Sequence, residues 1–175
     1  MNVTEFFQQS VGKWFSQRTH HQPTAQTPES GRSDVYIDWL ENDAPDVVQL
    51  CDRHQVNPQE AIGGMQVRWE GTMGASPDKK TGTTLVVAIA NADDPTQGKI
   101  LQQNPNLDST AVSGSYMLGD DEALTLITKM NGISAEERIW FASENLRLRT
   151  RVLKTADGVS DASFYSEIRM GGVRK

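Results

Sequence analysis

Three arginines alternate with uncharged residues near the C-terminal end of the chain, and these arginines are the residues most able to do chemistry. Arg147, Arg149 and Arg151 occupy every second position of Asn145–Val152. Successive side chains of a strand point to opposite faces, so three guanidinium groups would lie on one face. A planar guanidinium binds a carboxylate through two parallel hydrogen bonds. The pattern therefore predicts either a binding site for an acidic ligand inside a barrel or a solvated row on an outer wall.

Two glutamates could take part in the same chemistry. Glu137 comes shortly before the arginine segment, and Glu167 shares a strand face with Tyr165 and Arg169. Each carboxylate could pair with a neighbouring arginine across strands. Each could instead accept N–H bonds from a ligand and stabilise the protonated form of that ligand. The pattern alone leaves both interpretations open.

Four further side chains are of types that could bind a ligand or a metal ion. Trp69 shares a strand face with Val67, which suits ordinary core and equally suits the wall of a cavity for a flat conjugated ligand. His20 and His21 are adjacent and cannot converge on one ion, so we expect a solvent-exposed pair. Cys51 is the single cysteine, and we expect it to act as a small hydrophobe on a helix. No disulfide within the chain and no zinc or other metal site is predicted.

Length and composition limit the class of protein. The chain has 175 residues, 37% of them hydrophobic and 23% charged, which predicts one folded domain over residues 1–175 without membrane insertion. The net charge of −6 argues against nucleic-acid binding, because that affinity comes mainly from Lys and Arg. The first thirty residues hold no apolar run of signal-peptide length, so we expect the protein to stay inside the cell.

The remaining elements indicate an all-β fold. Short helices are predicted at Val3–Ser10 and after Pro45, and the polar stretch from Gln22 to Ser33 is predicted to be a mobile loop. Strand-like runs separated mostly by hairpin turns occur at Gly12–His21, Asp34–Leu40, Gly64–Glu70, Thr83–Asn91, Ser109–Leu118, Ala123–Met130, Glu136–Ala142, Leu146–Thr155 and Ala162–Met170. The first and last strands of an antiparallel meander are left unpaired on one side unless they pair with each other. We therefore predict a closed up-and-down barrel of about eight to ten strands.

Six ordered blocks of residues resemble the S-type (CpcS/CpeS) phycobilin lyases over essentially the whole chain. They are Phe6-Phe7, Gly12-Lys13-Trp14-Phe15-Ser16-Gln17-Arg18-Thr19, Val67-Arg68-Trp69-Glu70-Gly71, Glu137-Arg138-Ile139-Trp140-Phe141, Asn145-Leu146-Arg147-Leu148-Arg149-Thr150 and Ser166-Glu167-Ile168-Arg169. Gly12-Lys13-Trp14 is also similar to the Gly-x-Trp that opens lipocalin barrels. The resemblance implies a ten-stranded antiparallel barrel of the lipocalin or fatty-acid-binding type, with a helix at its N-terminal end.

The resemblance also implies an activity. Proteins of this family bind a linear phycobilin, such as phycocyanobilin or phycoerythrobilin, and attach it as a thioether to a cysteine of a phycobiliprotein. The expected partners are phycocyanin, allophycocyanin or phycoerythrin subunits, and the chain would act alone, as a homodimer or with a related lyase subunit. The bilin would be a substrate, with no other cofactor. The expected location is the cyanobacterial cytoplasm, or the plastid in an alga.

Individual positions carry over from the family. The resemblance implies that Arg18, Trp69, Arg147 and Arg149 bind the bilin, and that Glu137 and Glu167 are candidate catalytic carboxylates. Arg151 is also expected to bind the ligand. At this position the chain departs from the family pattern, because a small hydroxyl residue is expected there in many relatives. The two propionates of the bilin would contact Arg147 and Arg149, with Arg18 as a further candidate, and a glutamate would face the pyrrole N–H groups.

Two other functions fit the same residues. A non-catalytic, lipocalin-like carrier of a fatty acid or another acidic hydrophobic ligand would also place arginines inside a barrel. A structural or assembly protein would instead carry the arginines on its outer wall, against an acidic partner. Several arginines together with nearby carboxylates favour a bilin over a fatty acid, because one fatty-acid carboxylate needs fewer cations.

Overall fold

Ten antiparallel strands form a closed barrel in the computed structural model, which describes residues 1–103 and 111–171. Each strand pairs with its neighbours in the chain, and β1 pairs with β10 to complete the circle. The strands are β1 (Gly12–His21), β2 (Glu29–Leu40), β3 (Ala61–Met73), β4 (Lys80–Ala90), β5 (Gln97–Gln103), β6 (Ala111–Leu118), β7 (Leu124–Met130), β8 (Ile133–Ser143), β9 (Leu146–Thr155) and β10 (Gly158–Met170). The prediction of an all-β up-and-down barrel is confirmed.

A short helix, α1 (Val3–Ser10), plugs one end of the barrel. Asn2 caps it by accepting a hydrogen bond of 2.9 Å from the backbone N–H of Glu5, whose carboxylate accepts one of 2.8 Å in return. Phe6 and Phe7 are buried and pack into the barrel, with the Phe6 ring 5.1 Å from the ring of Phe141. We call this the closed end; the opposite end, where β1 finishes at His21, is the open end.

The barrel interior changes character from one end to the other. Apolar side chains fill the part next to α1; they include Trp14, Val35, Ile37, Met65, Val86, Ile100 and Leu124. Toward the open end the inward positions of β1, β8, β9 and β10 become polar, as described below. The apolar half supplies the core that stabilises the barrel, which leaves the other half available for a site.

A second helix, α2 (Pro45–Arg53), packs outside the barrel on β3, β4 and β5. Val47, Leu50 and Cys51 are completely buried against outward residues such as Val87 and Leu101. Cys51 is therefore a buried hydrophobe, as expected, and it lies outside the barrel cavity. A 3₁₀ turn at Pro58–Glu60 leads into β3. Among the described residues, no helix is both long and apolar enough to cross a membrane.

Two parts of the strand prediction were wrong. The strand β5 was missed, because Ile100 faces the barrel core while Leu101 packs under α2, and burial on both faces removes the alternation that signals a strand. β2 begins at Glu29 rather than Asp34, because the supposed loop residues Glu29 to Ser33 pair with β1 and, from Gly31 onward, with β3. The predicted start of the sixth strand at Ser109 lies outside the described residues.

Candidate functional site

The three arginines of β9 point into the barrel. Arg147, Arg149 and Arg151 pair across strands with residues of β8 that include Ile139, a member of the interior core. Their partners on β10 are Glu167, Tyr165 and Ser163, all of which are buried. Cross-strand neighbours share a face. The interpretation of the arginines as a solvated outer row is therefore wrong.

A buried ion pair lies at the inner end of this row. Arg147 Nε donates to Glu167 Oε2 at 2.6 Å, and the two side chains are 6% and 0% exposed. Ser16 Oγ donates to Glu167 Oε1 at 3.3 Å, and Arg149 Nη2 donates to the same oxygen at 3.4 Å. Burial by itself raises the pKa of Glu167, but the charges of Arg147 and Arg149 outweigh it and lower the pKa. Glu167 is therefore an ionised carboxylate whose oxygens both accept hydrogen bonds from the protein.

Trp14 connects this ion pair to the helix that plugs the barrel. The guanidinium carbon of Arg147 lies 5.0 Å from the centre of the Trp14 ring, and that of Arg169 lies 4.2 Å from it. Arg169 donates 2.6 Å hydrogen bonds to the carbonyl oxygens of Gln9 and Val11, immediately around the end of α1. The Trp14 indole N–H donates to the carbonyl of Ser10 at 2.8 Å. The inner end of the site is thus fixed to the closed end of the barrel.

Arg149 lies in the middle of the row and bridges two carboxylates. Its Nη1 is 3.6 Å from Glu137 Oε1, its Nη2 is 3.4 Å from Glu167 Oε1, and its guanidinium carbon is 3.8 Å from the Tyr165 ring centre. Burial lowers the pKa of Arg149, but Glu167 and Glu137 raise it by more, so Arg149 stays a cation. Its buried Nε has no hydrogen-bond partner in the described ranges. Because the side chain is 23% exposed, Arg149 can still be reached from the cavity.

Arg151 and Glu137 form the outer part of the row, toward the open end. Arg151 Nε lies 3.2 Å from Glu137 Oε1, with the two side chains 39% and 25% exposed. An ion pair with this much solvent contact is weak and can exchange partners easily. Glu137 is therefore the more accessible of the two candidate carboxylates.

Arg18 faces the same space from β1, but its hydrogen-bond partners are Ser163 and His20 rather than carboxylates. It donates to Ser163 Oγ from Nε at 3.2 Å and from Nη2 at 3.1 Å, and its Nη2 is 3.1 Å from His20 Nδ1. In the part of the chain that the structure describes, no carboxylate lies within ion-pair distance of Arg18. A pocket of about 480 Å³ over β1, β2 and β3 lies on the outer wall, because Gln17, Arg32 and Thr72, which line it, share the outward face of these strands. Arg18 is thus a cation with donors available to an anionic ligand.

The expectation of a solvent-exposed histidine pair was wrong for His20. The strand alternation that brings Arg18 inward also brings His20 inward, so its side chain is 12% exposed, whereas His21 faces outward. Ser163 Oγ lies 2.9 Å and Asp161 Oδ1 lies 3.6 Å from His20 Nδ1. A catalytic relay needs the two ring nitrogens to serve different partners. Here both partners approach one nitrogen, so the trio is not arranged as a nucleophilic triad.

Trp69 lies on the inward face of β3 near the open end. Met65 and Val67, which share that face, pack in or against the core, whereas Trp69 remains 37% exposed. Gly82 on β4 is its cross-strand partner, and a Cβ at that position would lie 2.5 Å from the indole. Glycine at 82 therefore leaves space for the ring. The indole is a half-exposed aromatic surface on the β3–β4 part of the inner wall.

The site as a whole combines the aromatic surface of Trp69, a buried ion pair and four accessible charged side chains, which are Arg18, Glu137, Arg149 and Arg151. Sequence reasoning missed Ser16, His20 and Ser163, although they occupy the same inward register as Arg18 and Glu167. Residues 1–103 and 111–171 contain no group of three or more His, Cys, Asp or Glu side chains that could hold a metal ion. A larger pocket, of about 600 Å³, lies on the outer wall over β4–β7 and contains none of the predicted site residues.

Comparisons with a family model, with related sequences and with solved structures all relate nearly the full length of this chain to one family. The family model described as "CpeS-like protein" matches residues 2–170. A chromophore lyase CpcS/CpeS of Thermosynechococcus vestitus is 44% identical over 171 residues, which are 98% of this chain and 94% of that protein. A phycocyanobilin lyase subunit CpcS of Picosynechococcus sp. is 37% identical over 172 residues, 97% of this chain and 86% of that protein. The structure of the S-type phycobiliprotein lyase CPES of Guillardia theta superposes with a TM-score of 0.85 at 32% identity, covering 99% of this chain and 95% of that one.

Proposed function

The chain belongs to the CpeS-like family, and from this premise we propose that it is a phycobilin lyase. It binds a linear tetrapyrrole in the open half of the barrel and attaches it through a thioether bond to a cysteine of a phycobiliprotein subunit. The observation that carries this proposal is the inward row of arginines beside an aromatic surface, in a barrel whose relatives are named chromophore and phycocyanobilin lyases. A flat, conjugated dianion matches that combination of groups.

The accessible arginines are the ones suited to the propionates of the bilin. Arg147 is 5% exposed and forms an ion pair with Glu167. We therefore propose that it positions the other side chains of the site and does not contact the bilin. Arg149, Arg18 and Arg151 present guanidinium groups to the cavity and can each donate two parallel hydrogen bonds to a carboxylate. This assignment differs from the sequence-based expectation that Arg147 and Arg149 have equivalent roles.

The two glutamates also divide their roles. Glu167 has no exposed surface and both of its oxygens accept hydrogen bonds from the protein, so it positions Arg147 and Arg149. Glu137 is 25% exposed and pairs weakly with Arg149 and Arg151. When the propionates of the bilin replace Glu137 as partners of these two arginines, the Glu137 carboxylate can accept hydrogen bonds from the pyrrole N–H groups. That contact would favour the protonated, electrophilic form of the chromophore.

The nucleophile belongs to the acceptor protein. The sulfur of its cysteine attacks the ethylidene carbon of ring A, a C–S bond forms, and the electron pair of the exocyclic double bond moves into the conjugated system, which takes up a proton. Neither an oxidant nor a cofactor is needed. The barrel contributes orientation and exclusion of water. The acceptor would be a phycocyanin, allophycocyanin or phycoerythrin subunit in the cytoplasm, or in the plastid of an alga, and the lyase would act alone, as a homodimer or with a related subunit.

Replacing Cys51 with alanine is expected to leave the transfer rate unchanged. The thiol is completely buried between α2 and the outer wall, where burial raises its pKa and keeps it protonated. The variant should lose about 1 kcal/mol of stability from lost packing, measured by urea unfolding. Loss of transfer by a Cys51→Ala protein with native circular dichroism would instead show that a thioether intermediate forms on the lyase.

Two measurements separate a lyase from a carrier. Titration with phycocyanobilin should give a saturable change in the visible absorption spectrum, whereas a fluorescent fatty acid should bind weakly or not at all. Co-expression with bilin-synthesis enzymes and a phycobiliprotein subunit should then give a product that keeps zinc-induced fluorescence in a denaturing gel. Tight fatty-acid binding without any covalent product would favour the carrier function over the proposed one.

A further inference from the structure

The turns of two neighbouring hairpins at the open end are flanked by exposed apolar residues. β7 and β8 are joined by a two-residue turn, and the residues on either side of it, Met130 and Ile133, are 40% and 45% exposed. Val159, just after the turn between β9 and β10, is 49% exposed. Hairpin turns and their surroundings are ordinarily polar. We call the apolar surface formed by Met130, Ile133 and Val159 the open-end lip.

The register of the strands places the open-end lip at the entrance of the cavity. His21 at the end of β1 pairs with Ala162, so β10 begins at the open end. β8 begins at the same end, because it is separated from β10 by one antiparallel strand. Ile133 lies four residues before Glu137 on the inward face of β8, which corresponds to about 13 Å along the wall. The lip therefore borders the opening, beyond the row of charged side chains.

The turn between β7 and β8 holds Met130 and Ile133 in one arrangement. Its two residues, Asn131 and Gly132, have φ angles of 52° and 77°. Positive φ at both central positions is typical of the type I′ turn, whose twist matches that of the two strands it joins. A surface that is already ordered loses little conformational freedom when a partner binds to it. The exposure of the two apolar side chains is therefore a property of a well-formed hairpin.

The charges beside the open-end lip differ from those of the chain as a whole. The net charge of the chain is −6, whereas the two turns and their flanking residues carry Lys129 and Lys154 against Asp157. Both lysines lie beside Ser134 on the outside of the barrel. Lys129 is exposed, and the ion pair of Lys154 with Glu136, at 3.4 Å, is also exposed and therefore weak. An apolar surface bordered by lysines favours a partner that presents apolar side chains with carboxylates around them.

An acceptor protein has to approach the cavity from this end of the barrel. The other end is plugged by α1, where Phe6 and Phe7 are buried and Arg169 hydrogen-bonds to the backbone around the end of the helix. The sulfur of the acceptor has to meet ring A of the bilin. The propionates belong to the two middle rings, so one terminal ring of a bilin held at the arginine row extends toward the open end. A protein that collects the chromophore therefore contacts the residues around this opening.

We propose that the open-end lip is the docking surface for the acceptor phycobiliprotein subunit. This inference rests on the proposed lyase function and adds to it the part of the barrel that the acceptor contacts. The acceptor places an apolar surface bordered by carboxylates against Met130, Ile133 and Val159, with its cysteine beside the entrance of the cavity. The apolar contacts supply most of the affinity, whereas Lys129 and Lys154 contribute mainly to the association rate and the orientation.

The affinity of the bilin-loaded lyase for its acceptor tests the proposal by isothermal titration calorimetry. The acceptor is the phycocyanin, allophycocyanin or phycoerythrin subunit that the wild type modifies, with its cysteine replaced by serine so that the complex cannot react. Ile133→Glu combined with Val159→Glu should raise the dissociation constant by about 30-fold or more. Lys129→Glu, which removes no apolar side chain, should raise it by roughly 3- to 10-fold at low salt and by less at high salt. The matched control is Met117→Glu, which changes a 51% exposed residue near the closed end of β6 and should leave the affinity unchanged.

Titration of the same variants with phycocyanobilin separates the docking surface from the bilin site. Bilin affinity and circular dichroism should stay at wild-type values, while the KM for the unmodified acceptor rises with little change in kcat. Lip variants that bind the acceptor as tightly as the wild type would overturn the docking surface. Variants whose bilin affinity falls as much as their acceptor affinity would also overturn it, because the lip would then contact the chromophore.

The wild type reports separately on the lyase function. If it attaches bilin to an acceptor while the lip variants keep the wild-type KM, the lyase function stands and only the docking surface is wrong. If it attaches bilin to none of the three acceptors, the lyase function is contradicted and the docking surface with it.

Discussion

Replacing Arg149 with glutamine is expected to weaken bilin binding by roughly 10- to 150-fold, the range for one lost hydrogen-bonded charge. Arg149 is the cation that both Glu137 and Glu167 surround, and it remains 23% exposed to the cavity. Its removal takes away the proposed partner of a propionate. It also leaves two carboxylates less compensated next to an anionic ligand. The affinity is measured by absorbance titration with phycocyanobilin, and transfer to the acceptor should fall in parallel.

Arg68 provides the matched control for this substitution. It is an exposed arginine that pairs with Asp38 at 3.2 Å, each side chain being 53% exposed. Arg68→Gln should therefore leave bilin affinity unchanged. If Arg149→Gln kept wild-type affinity while retaining native circular dichroism, the propionates would have to bind elsewhere in the barrel.

Replacing Arg147 with glutamine is expected to lower the free energy of unfolding by about 3–5 kcal/mol, because it leaves a completely buried carboxylate without its main partner. Glu167 has no exposed surface, and its shortest hydrogen bond comes from Arg147. Urea unfolding measures the loss. Arg68→Gln again serves as the control, and the loss of its exposed ion pair should cost less than about 1 kcal/mol.

A double-mutant cycle distinguishes this ion pair from general damage to the fold. Adding Glu167→Gln to Arg147→Gln removes the buried charge, so the double variant should be more stable than Arg147→Gln alone. Since folding lowers the pKa of Glu167, its ionised form stabilises the native state above the pKa of about 4.3 of an unfolded glutamate. That stabilisation disappears as the pH falls through the native pKa. The deficit of Arg147→Gln should therefore be largest near neutral pH and shrink in acid; a deficit independent of pH would contradict the assignment.

Much of the fold could be predicted from local patterns. Hairpin turns and alternating strands indicated a closed meander of about eight to ten strands, which the ten-stranded barrel confirms, and the one strand that was missed, β5, is buried on both faces. Ile100 and Leu101 are adjacent apolar residues, and a pair of that kind carries no period. The first half of β2 was missed for the opposite reason. It is polar on both faces, and its strand conformation depends on pairing with β1 and β3 rather than on its own residues.

The sequence predicted which residues belong to the candidate site, but it did not predict which of them pair with each other and which remain accessible. Alternation grouped Arg147, Arg149 and Arg151 on one face, but it could not say which glutamate lies opposite which arginine. The register of β9 against β10 decides that, because it sets Glu167 directly across from Arg147. The sequence also does not indicate how far each arginine lies from the closed end of the barrel. Arg147 forms a buried ion pair whereas Arg149 is the proposed ligand contact, because Arg147 lies closer to the end of the barrel that α1 closes.

The closure of the barrel through β1 and β10 has a consequence for the order of folding. Ser16 and Glu167, which share a hydrogen bond, are 151 positions apart in the chain. Contacts between residues so distant in sequence form late and slow folding, because the intervening chain must first be ordered. A chain still emerging from the ribosome lacks its last strand and therefore has no cavity in which a chromophore could be held. The ability to carry the pigment thus arises only after synthesis of β10, together with the final seam of the barrel.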